Sequence, residues 1–186
     1  MKYKHALFLN PYTSSDSSRD MVRGLFPPTG LEYVATSAKG FVDKLTLIDL
    51  SYEKDLSNTD GLLDFISKEI DIVCVGIGWD RQFKKICGLL NLMPDNIPLV
   101  VGGYKATEVV EELFETCPKI DIIVRGEGEE TIKKILQKMP LENILGISYR
   151  RGDRITHNAN RPLQNVDIIT PPDRTLRRIK YSMKLH

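Results

Sequence analysis

Three short runs of Val, Ile and Leu in this chain end in closely spaced glycines, and each is followed by a segment with helical periodicity. The runs and their glycines lie at residues 71–78, 97–103 and 120–128. Uninterrupted apolar runs are typical of strands buried in a parallel sheet. Ligands of such sheets bind beyond the carboxyl ends of the strands, where glycine lets the backbone come close. The pattern predicts an α/β protein with a ligand cleft whose floor is bare backbone.

Strand and helix signals alternate over most of the chain. The predicted strands occupy residues 4–10, 43–50, 72–77, 99–101 and 120–124. Five helices are predicted. The first covers residues 31–39, the second begins after a Ser57-Asn58 cap, the third follows Asp80 and the fourth begins after a Thr107 cap. The fifth carries the apolar series Ile132, Ile135, Leu136 and Met139. Five βα units in series imply a parallel sheet with helices on both faces, joined by right-handed crossovers.

The last quarter of the chain departs from this alternation. Residues 144–157 have the pattern of a β-hairpin with Gly152-Asp153 at its turn. Residues 144–186 carry nine Lys and Arg against three Asp and Glu, although the net charge of the whole chain is only +1. Without a nucleic-acid-binding motif, this excess favours a solvated arm. We divide the chain into a domain at 1–140, a hairpin extension at 141–169 and a basic linker at 170–186 toward a further domain.

Several function classes lack their motifs. The chain has no GxGxxG after its first strand and no GxxxxGK[ST], which disfavours dinucleotide and Walker-type nucleotide sites. A phosphoacceptor domain needs acidic residues after the first and third strands and a Lys after the fifth; those positions hold Asn10-Pro11, Gly76-Ile77-Gly78 and Arg125. No G-x-S-x-G is present, and the serines of residues 14–18 have no evident base. Catalysis by this chain is therefore not indicated.

Cysteines and histidines give no sign of a metal site. Cys74, Cys87 and Cys117 are widely spaced in apolar segments, which predicts reduced core thiols and not zinc or iron–sulfur ligands. The histidines are scattered and are predicted to be surface or turn residues. The sequence has neither a signal peptide nor an apolar run of membrane-spanning length, so we expect a cytoplasmic location.

Four motifs make the chain resemble one family. Residues 27–33 (PPTGLEY), 100–107 (VVGGYKAT), 124–131 (VRGEGEET) and 171–176 (PPDRTL) are similar, in this order, to the PPLGLxYL, GGPHAT, RGEGEETL and PxPDR motifs of the N-terminal cobalamin (B12)-binding domain of B12-dependent radical SAM proteins. The LGISYR of residues 145–150 also resembles the LxGIxYR strand of that family. The resemblance covers nearly the whole chain.

This resemblance implies a flavodoxin-like, doubly wound parallel five-stranded sheet with a C-terminal β-hairpin extension. It implies that cobalamin lies on the C-terminal edge of the sheet, with its nucleotide tail near the switch between the first and third strands and with residues 10–20 covering the cleft. The implied cofactor-binding residues are Asn10, Tyr12, Gly76, Gly78, Trp79, Gly102, Gly103, Tyr104, Thr107, Gly126, Glu127 and Gly128.

The implied function is that of a cofactor carrier. The domain would hold cobalamin for methyltransferase- or cyclase-like chemistry done by a radical SAM barrel of the parent chain, which would hold the 4Fe-4S cluster and S-adenosylmethionine. The expected partners are the corrinoid and that barrel, without nucleic acid or membrane. No DxHxxG follows the first strand, so no histidine ligand to cobalt is expected. Tyr104-Lys105 replaces the Pro-His of GGPHAT, and Gly78 replaces a Ser, which leaves a cofactor-free α/β interaction or scaffolding domain as the alternative.

Overall fold

One mixed sheet forms the centre of the molecule in the computed structural model, which describes residues 2–13, 27–53, 55–56, 58–165, 167 and 169–180. The strands are β1 (His5–Asn10), β2 (Lys44–Asp49), β3 (Ile72–Gly76), β4 (Leu99–Gly102), β5 (Ile122–Val124), β6 (Ile147–Arg151) and β7 (Arg154–His157). The helices are α1 (Thr29–Ser37), α2 (Thr59–Glu69), α3 (Phe83–Leu90), α4 (Tyr104–Glu108), α5 (Val110–Thr116) and α6 (Glu129–Leu136). The strand order is β2-β1-β3-β4-β5-β6-β7.

Helices cover both faces of the sheet, as the alternation of strands and helices predicts. α1 and α6 pack on one face, where Phe8 and Ile132 belong to the same buried core. α2, α3 and α5 pack on the other face, where the core includes Leu9 and Ile66. Strands β1 to β5 are parallel. The predicted α/β class with a doubly wound parallel sheet is confirmed.

The predicted hairpin continues this sheet. β6 runs antiparallel to β5, with Ile147 opposite Val124, and β7 returns along β6 after a turn at Gly152 and Asp153. The hairpin therefore lengthens the sheet from the five predicted strands to seven.

Two predicted helix boundaries are wrong. The helix expected behind a Thr107 cap begins at Tyr104, and it is interrupted at Val109, whose backbone angles (φ −119°, ψ 43°) are not helical. Thr107 lies inside α4 and does not cap a helix. The last helix ends before Met139, because Lys138 takes a left-handed φ of 56°.

The segment at residues 171–178 does not form the solvated arm that its charge predicts. The backbone N–H of Arg178 donates to the carbonyl oxygen of Leu47, on the edge strand β2, at 2.9 Å. Beside it, the guanidinium of Arg177 pairs with the buried carboxylate of Glu32 on α1. The basic residues of this segment thus bind the domain itself.

The structure confirms the prediction for the cysteines and contradicts the prediction for His5. The three cysteines are buried, as predicted for core thiols, and burial raises the pKa of Cys74 to about 12. His5, predicted at the surface or in a turn, is buried instead, with its Nε2 2.8 Å from Thr46 Oγ1 and its ring edge-on to Phe65.

Within the described ranges, no helix has the length and apolar character needed to cross a membrane.

Candidate cofactor-binding site

Gly76 and Gly102 are paired neighbours at the carboxyl ends of β3 and β4. The side chain of Leu31 on α1 lies over Gly76, where an added Cβ would be 3.3 Å from Leu31 Cδ1. At Gly128 an added Cβ would be 3.1 Å from Val34 Cγ2, also on α1. The missing side chain lets α1 approach the sheet at Gly76 and the start of α6 at Gly128. The sequence gives no signal for this contact, because Leu31 and Val34 have the spacing of any helix face.

Gly78 and Gly126, by contrast, face open space, with no atom within 4 Å of an added Cβ. The N–H of Gly126 donates to Thr107 Oγ1 at 3.0 Å, and that hydroxyl donates to the Gly103 carbonyl oxygen at 3.0 Å. Thr107 therefore ties the loop after β5 to the loop after β4. The predicted residues Thr107 and Gly126 do lie together.

Of the glycines in this site, Gly103 lies closest to the backbone of another loop. It has a φ of +105°, and an added Cβ would be 2.7 Å from the Ile77 carbonyl oxygen. That oxygen accepts hydrogen bonds from the N–H groups of Lys105 (3.0 Å) and Ala106 (3.3 Å) at the start of α4. The loop after β3 thus occupies the amino end of α4, and those amides are not available to a ligand.

Two exposed aromatic side chains flank the open glycines. Trp79 is 68% exposed and Tyr104 is 82% exposed. Each follows one of the glycine turns, and the residues after them are joined by an ion pair of 2.8 Å between Lys105 Nζ and Asp80 Oδ1. The hydrogen bond to Asp80 raises the pKa of Lys105. Lys105, one of the departures from the family motif, therefore fixes the two turns to each other.

We use the name switch crevice for the gap between residues 10–13, after β1, and residues 77–82, after β3. The side chain of Tyr12 crosses it, with 3% of the residue exposed. The Tyr12 hydroxyl donates to the Trp79 carbonyl oxygen at 2.9 Å and accepts from the Trp79 N–H at 2.8 Å. Burial raises the pKa of the Tyr12 phenol. The predicted covering loop lies, from residue 14 onward, outside the described residues.

Asn10, another predicted contact, is engaged with a different strand. Its Nδ2 donates to Asp49 Oδ1, at the end of β2, at 2.8 Å. The same carboxylate accepts from the Ser51 hydroxyl at 2.6 Å. In this structure Asn10 fixes the end of β1 to β2.

The residues after β5 bind the C-terminal part of the chain. Arg125 Nη1 donates to Asn160 Oδ1 at 2.8 Å, and its Nη2 donates to the Ile147 carbonyl oxygen at 3.2 Å. Glu127 Oε2 accepts from the N–H of Gln164 at 2.8 Å. Sequence reasoning placed Glu127 at the cofactor and gave Arg125 no role, since their partners lie tens of residues away.

A Ser–His–Glu chain is present outside the cleft. Ser148 Oγ is 2.9 Å from His157 Nδ1, and His157 Nε2 is 3.3 Å from Glu111 Oε1. Ser148 has no exposed surface, so it cannot reach a substrate. Among the described residues, no group of three His, Cys, Asp or Glu is arranged to hold a metal ion.

The comparison with known protein families identifies the family of the chain. The family described as B12 binding domain matches residues 19–136. This chain belongs to the B12-binding domain family. Its predicted resemblance to the cobalamin domains of radical SAM proteins is confirmed.

Relatives of this B12-binding domain include a methyltransferase and a cyclase. It is 33% identical to an uncharacterized methyltransferase of Pyrococcus horikoshii over 92% of this chain and 38% of that protein. It is 26% identical to the anaerobic magnesium-protoporphyrin IX monomethyl ester cyclase of Synechocystis sp. over 87% of this chain and 34% of that protein. The chain therefore spans about a third of the length of these relatives.

A solved structure confirms the fold. The radical S-adenosylmethionine methyltransferase TsrM from Kitasatospora setae, with cobalamin and a 4Fe-4S cluster bound, matches 93% of this chain with a TM-score of 0.65 and 18% identity. The matched part is 32% of that chain. The flavodoxin-like character of the B12-binding domain is thereby shown, and the comparisons give no support to the cofactor-free alternative.

Proposed function

We propose that this B12-binding domain holds cobalamin over the C-terminal edge of its sheet, between the side chains of Trp79 and Tyr104. The observation that carries the proposal is the exposure of these two aromatic rings beside glycines that face open space. The corrin ring of cobalamin is flat and has apolar faces. Aromatic side chains offer large apolar area to such a ring, and exposed apolar groups that cluster mark interaction sites.

The chemistry of the donor set also suits the cofactor. Gly78 and Gly126 have open space where a side chain would be, so that the groups around a corrin ring can come close to the backbone there. Gly76, Gly102, Gly103 and Gly128 are in close contact with neighbouring protein atoms and fix the packing around these open positions. Bound cobalamin supplies a cobalt centre that can carry an alkyl group. The residues of this chain bind the ring, orient it and shield one of its faces from water.

We propose further that the domain belongs to a longer radical SAM protein with methyltransferase- or cyclase-like activity. Residues 1–140 form the cobalamin domain, residues 141–169 the hairpin extension and residues 170–186 the connection to the barrel. The barrel holds the 4Fe-4S cluster and S-adenosylmethionine. The chain matches only about a third of the length of each of the two relatives, which supports this proposal. Three buried, unpaired thiols suit a reducing compartment, so we place the protein in the cytoplasm.

Gel filtration with hydroxocobalamin tests the binding proposal. We expect the corrinoid absorption to elute with the protein, and we expect the double variant Trp79→Ala/Tyr104→Ala to lose most of it while remaining folded, because both side chains are exposed. Leu92→Ala is the matched control, since Leu92 is also an exposed apolar side chain but lies on the helical face beside α3. Protein eluting without corrinoid would overturn the proposal.

A further inference from the structure

The switch crevice is the place where a sheet of this strand order binds ligands. The connections after β1 and β3 leave in opposite directions, and the gap between them lies at the carboxyl ends of both strands. Here that gap holds Tyr12, which is almost completely buried. We propose that Tyr12 determines which corrinoids bind, an inference that rests on the proposed function. A complete cobalamin, whose nucleotide tail enters the crevice, has to displace Tyr12. A corrinoid without the tail does not.

Tyr12 is held in place by a hydroxyl whose hydrogen bonds are all made inside the protein. It donates to the carbonyl oxygen of Trp79 and accepts from the N–H of the same residue. The guanidinium of Arg81 lies 5.0 Å from the centre of the Tyr12 ring. Moving the ring out of the crevice leaves the part-buried backbone N–H and carbonyl of Trp79 unpaired until the ligand or water replaces the hydroxyl.

A second pair of hydrogen bonds closes the crevice next to Tyr12. The N–H of Thr13 donates to Gln82 Oε1 at 3.0 Å, and Gln82 Nε2 donates to the Thr13 carbonyl oxygen at 2.9 Å. The side-chain amide of Gln82 thus pairs with the backbone of Thr13 as a neighbouring strand would. Lys85 Nζ adds a contact of 2.9 Å to Thr13 Oγ1.

The surface proposed for the corrin ring does not need Tyr12 to move. Trp79 and Tyr104 are already exposed, and Gly78 already faces open space. Docking of the ring therefore does not require the movement of Tyr12 that insertion of the tail requires. The apparent affinity of a ligand that binds only the open form of the crevice is the intrinsic affinity multiplied by the fraction of molecules that are open. The affinity of a ligand that does not enter the crevice is independent of this fraction.

The test compares hydroxocobalamin with cobinamide, the corrinoid that lacks the nucleotide tail. Dissociation constants are measured by equilibrium dialysis for the wild type, for Tyr12→Phe and for Tyr3→Phe, a control at the opposite end of β1, where Lys138 lies over the ring. Tyr12→Phe keeps the ring and removes the hydroxyl. We expect it to bind hydroxocobalamin about tenfold more tightly, because the closed form loses its hydrogen bonds. Cobinamide binding should change by less than about twofold.

Several results would overturn this inference. An equal change for both corrinoids would place Tyr12 beneath the ring and not in the path of the tail, and no change for either would remove its role. Tyr12→Ala, checked for folding by circular dichroism, must show the same selectivity as Tyr12→Phe. If neither corrinoid binds to the wild type or to either variant, the proposed function itself fails, and the inference with it. Cobalamin binding that is measurable in the wild type and tighter in the Tyr12 variants would support both.

Discussion

Arg177 is paired with Glu32 across 145 residues of sequence, and the side chain of Glu32 is only 1% exposed. Arg174 contributes a weaker contact, with its Nε 3.9 Å from the second carboxylate oxygen. Glu32 directly follows Leu31, the residue that covers Gly76, in α1. The C-terminal segment therefore fixes α1, the helix that packs over Gly76.

Replacing Arg177 by Met should destabilise the fold. The change leaves the Glu32 carboxylate buried without its main partner, and breaking a buried ion pair in this way costs about 3 kcal/mol. Urea denaturation measures the free energy of unfolding. Lys68→Ala is the control: it breaks an exposed ion pair with Asp64 and should cost less than about 0.5 kcal/mol. Equal effects of the two variants would contradict the structural role of Arg177.

Gly103→Ala should destabilise the protein by about 2 kcal/mol or more. Its φ of +105° disfavours any side chain, and a Cβ would lie 2.7 Å from the Ile77 carbonyl oxygen. Gly78→Ala is the matched comparison, because Gly78 has open space around it and no left-handed φ. We expect its free energy of unfolding to stay within about 0.5 kcal/mol of the wild type. A stability loss at Gly78 as large as that at Gly103 would refute this assignment.

Stability should decrease as the pH falls below about 6.5, with His5 as one cause. Burial, and then the positive charge of Lys44, lower the pKa of His5. The unfolded chain then binds a proton that the folded protein does not, so the free energy of unfolding rises with pH between the lowered pKa and the ordinary one. Urea titrations at several pH values in that range check this slope. It should be flatter in His5→Asn, and an unchanged slope would remove His5 as the cause.

Bound cobalamin should have no histidine ligand from the described part of the chain. His5 begins β1, at the edge of the sheet opposite the glycines, and His157 is bonded to Ser148 in the hairpin. Electron paramagnetic resonance of the reduced, Co(II) form reports nitrogen ligands by their hyperfine splitting. We expect no splitting from a protein nitrogen. A splitting present in the wild type and lost in His5→Asn or His157→Asn would contradict this prediction.

Local patterns were sufficient to predict most of the elements. Asn58 illustrates this: its side chain accepts from the N–H of Asp60 at 3.2 Å, which is the cap expected from its position before an apolar face. The apolar residues of β3, β4 and β5 are all buried, as the composition of these runs predicts. These signals depend on neighbours a few residues apart, so the sequence alone contains them.

The arrangement of the cleft depends on distant contacts and could not be predicted in the same way. Tyr12 and Trp79 are 67 residues apart, and no periodicity links them. Glycine is also ambiguous: Gly76 and Gly78 were both expected to admit a ligand, yet Gly76 accommodates Leu31 while Gly78 is open. A missing Cβ makes room for either a helix or a cofactor, and only the packed structure shows which.

The backbone hydrogen bond between Arg178 and Leu47 affects whether two molecules of the protein associate. β2 is an outer strand of the sheet, and an uncovered outer strand offers unpaired N–H and carbonyl groups to a second chain. A version of the domain cut at residue 169 would uncover that strand and leave the carboxylate of Glu32 without its cation. Such a shortened chain is expected to self-associate, and a version that retains Arg178 to remain monodisperse.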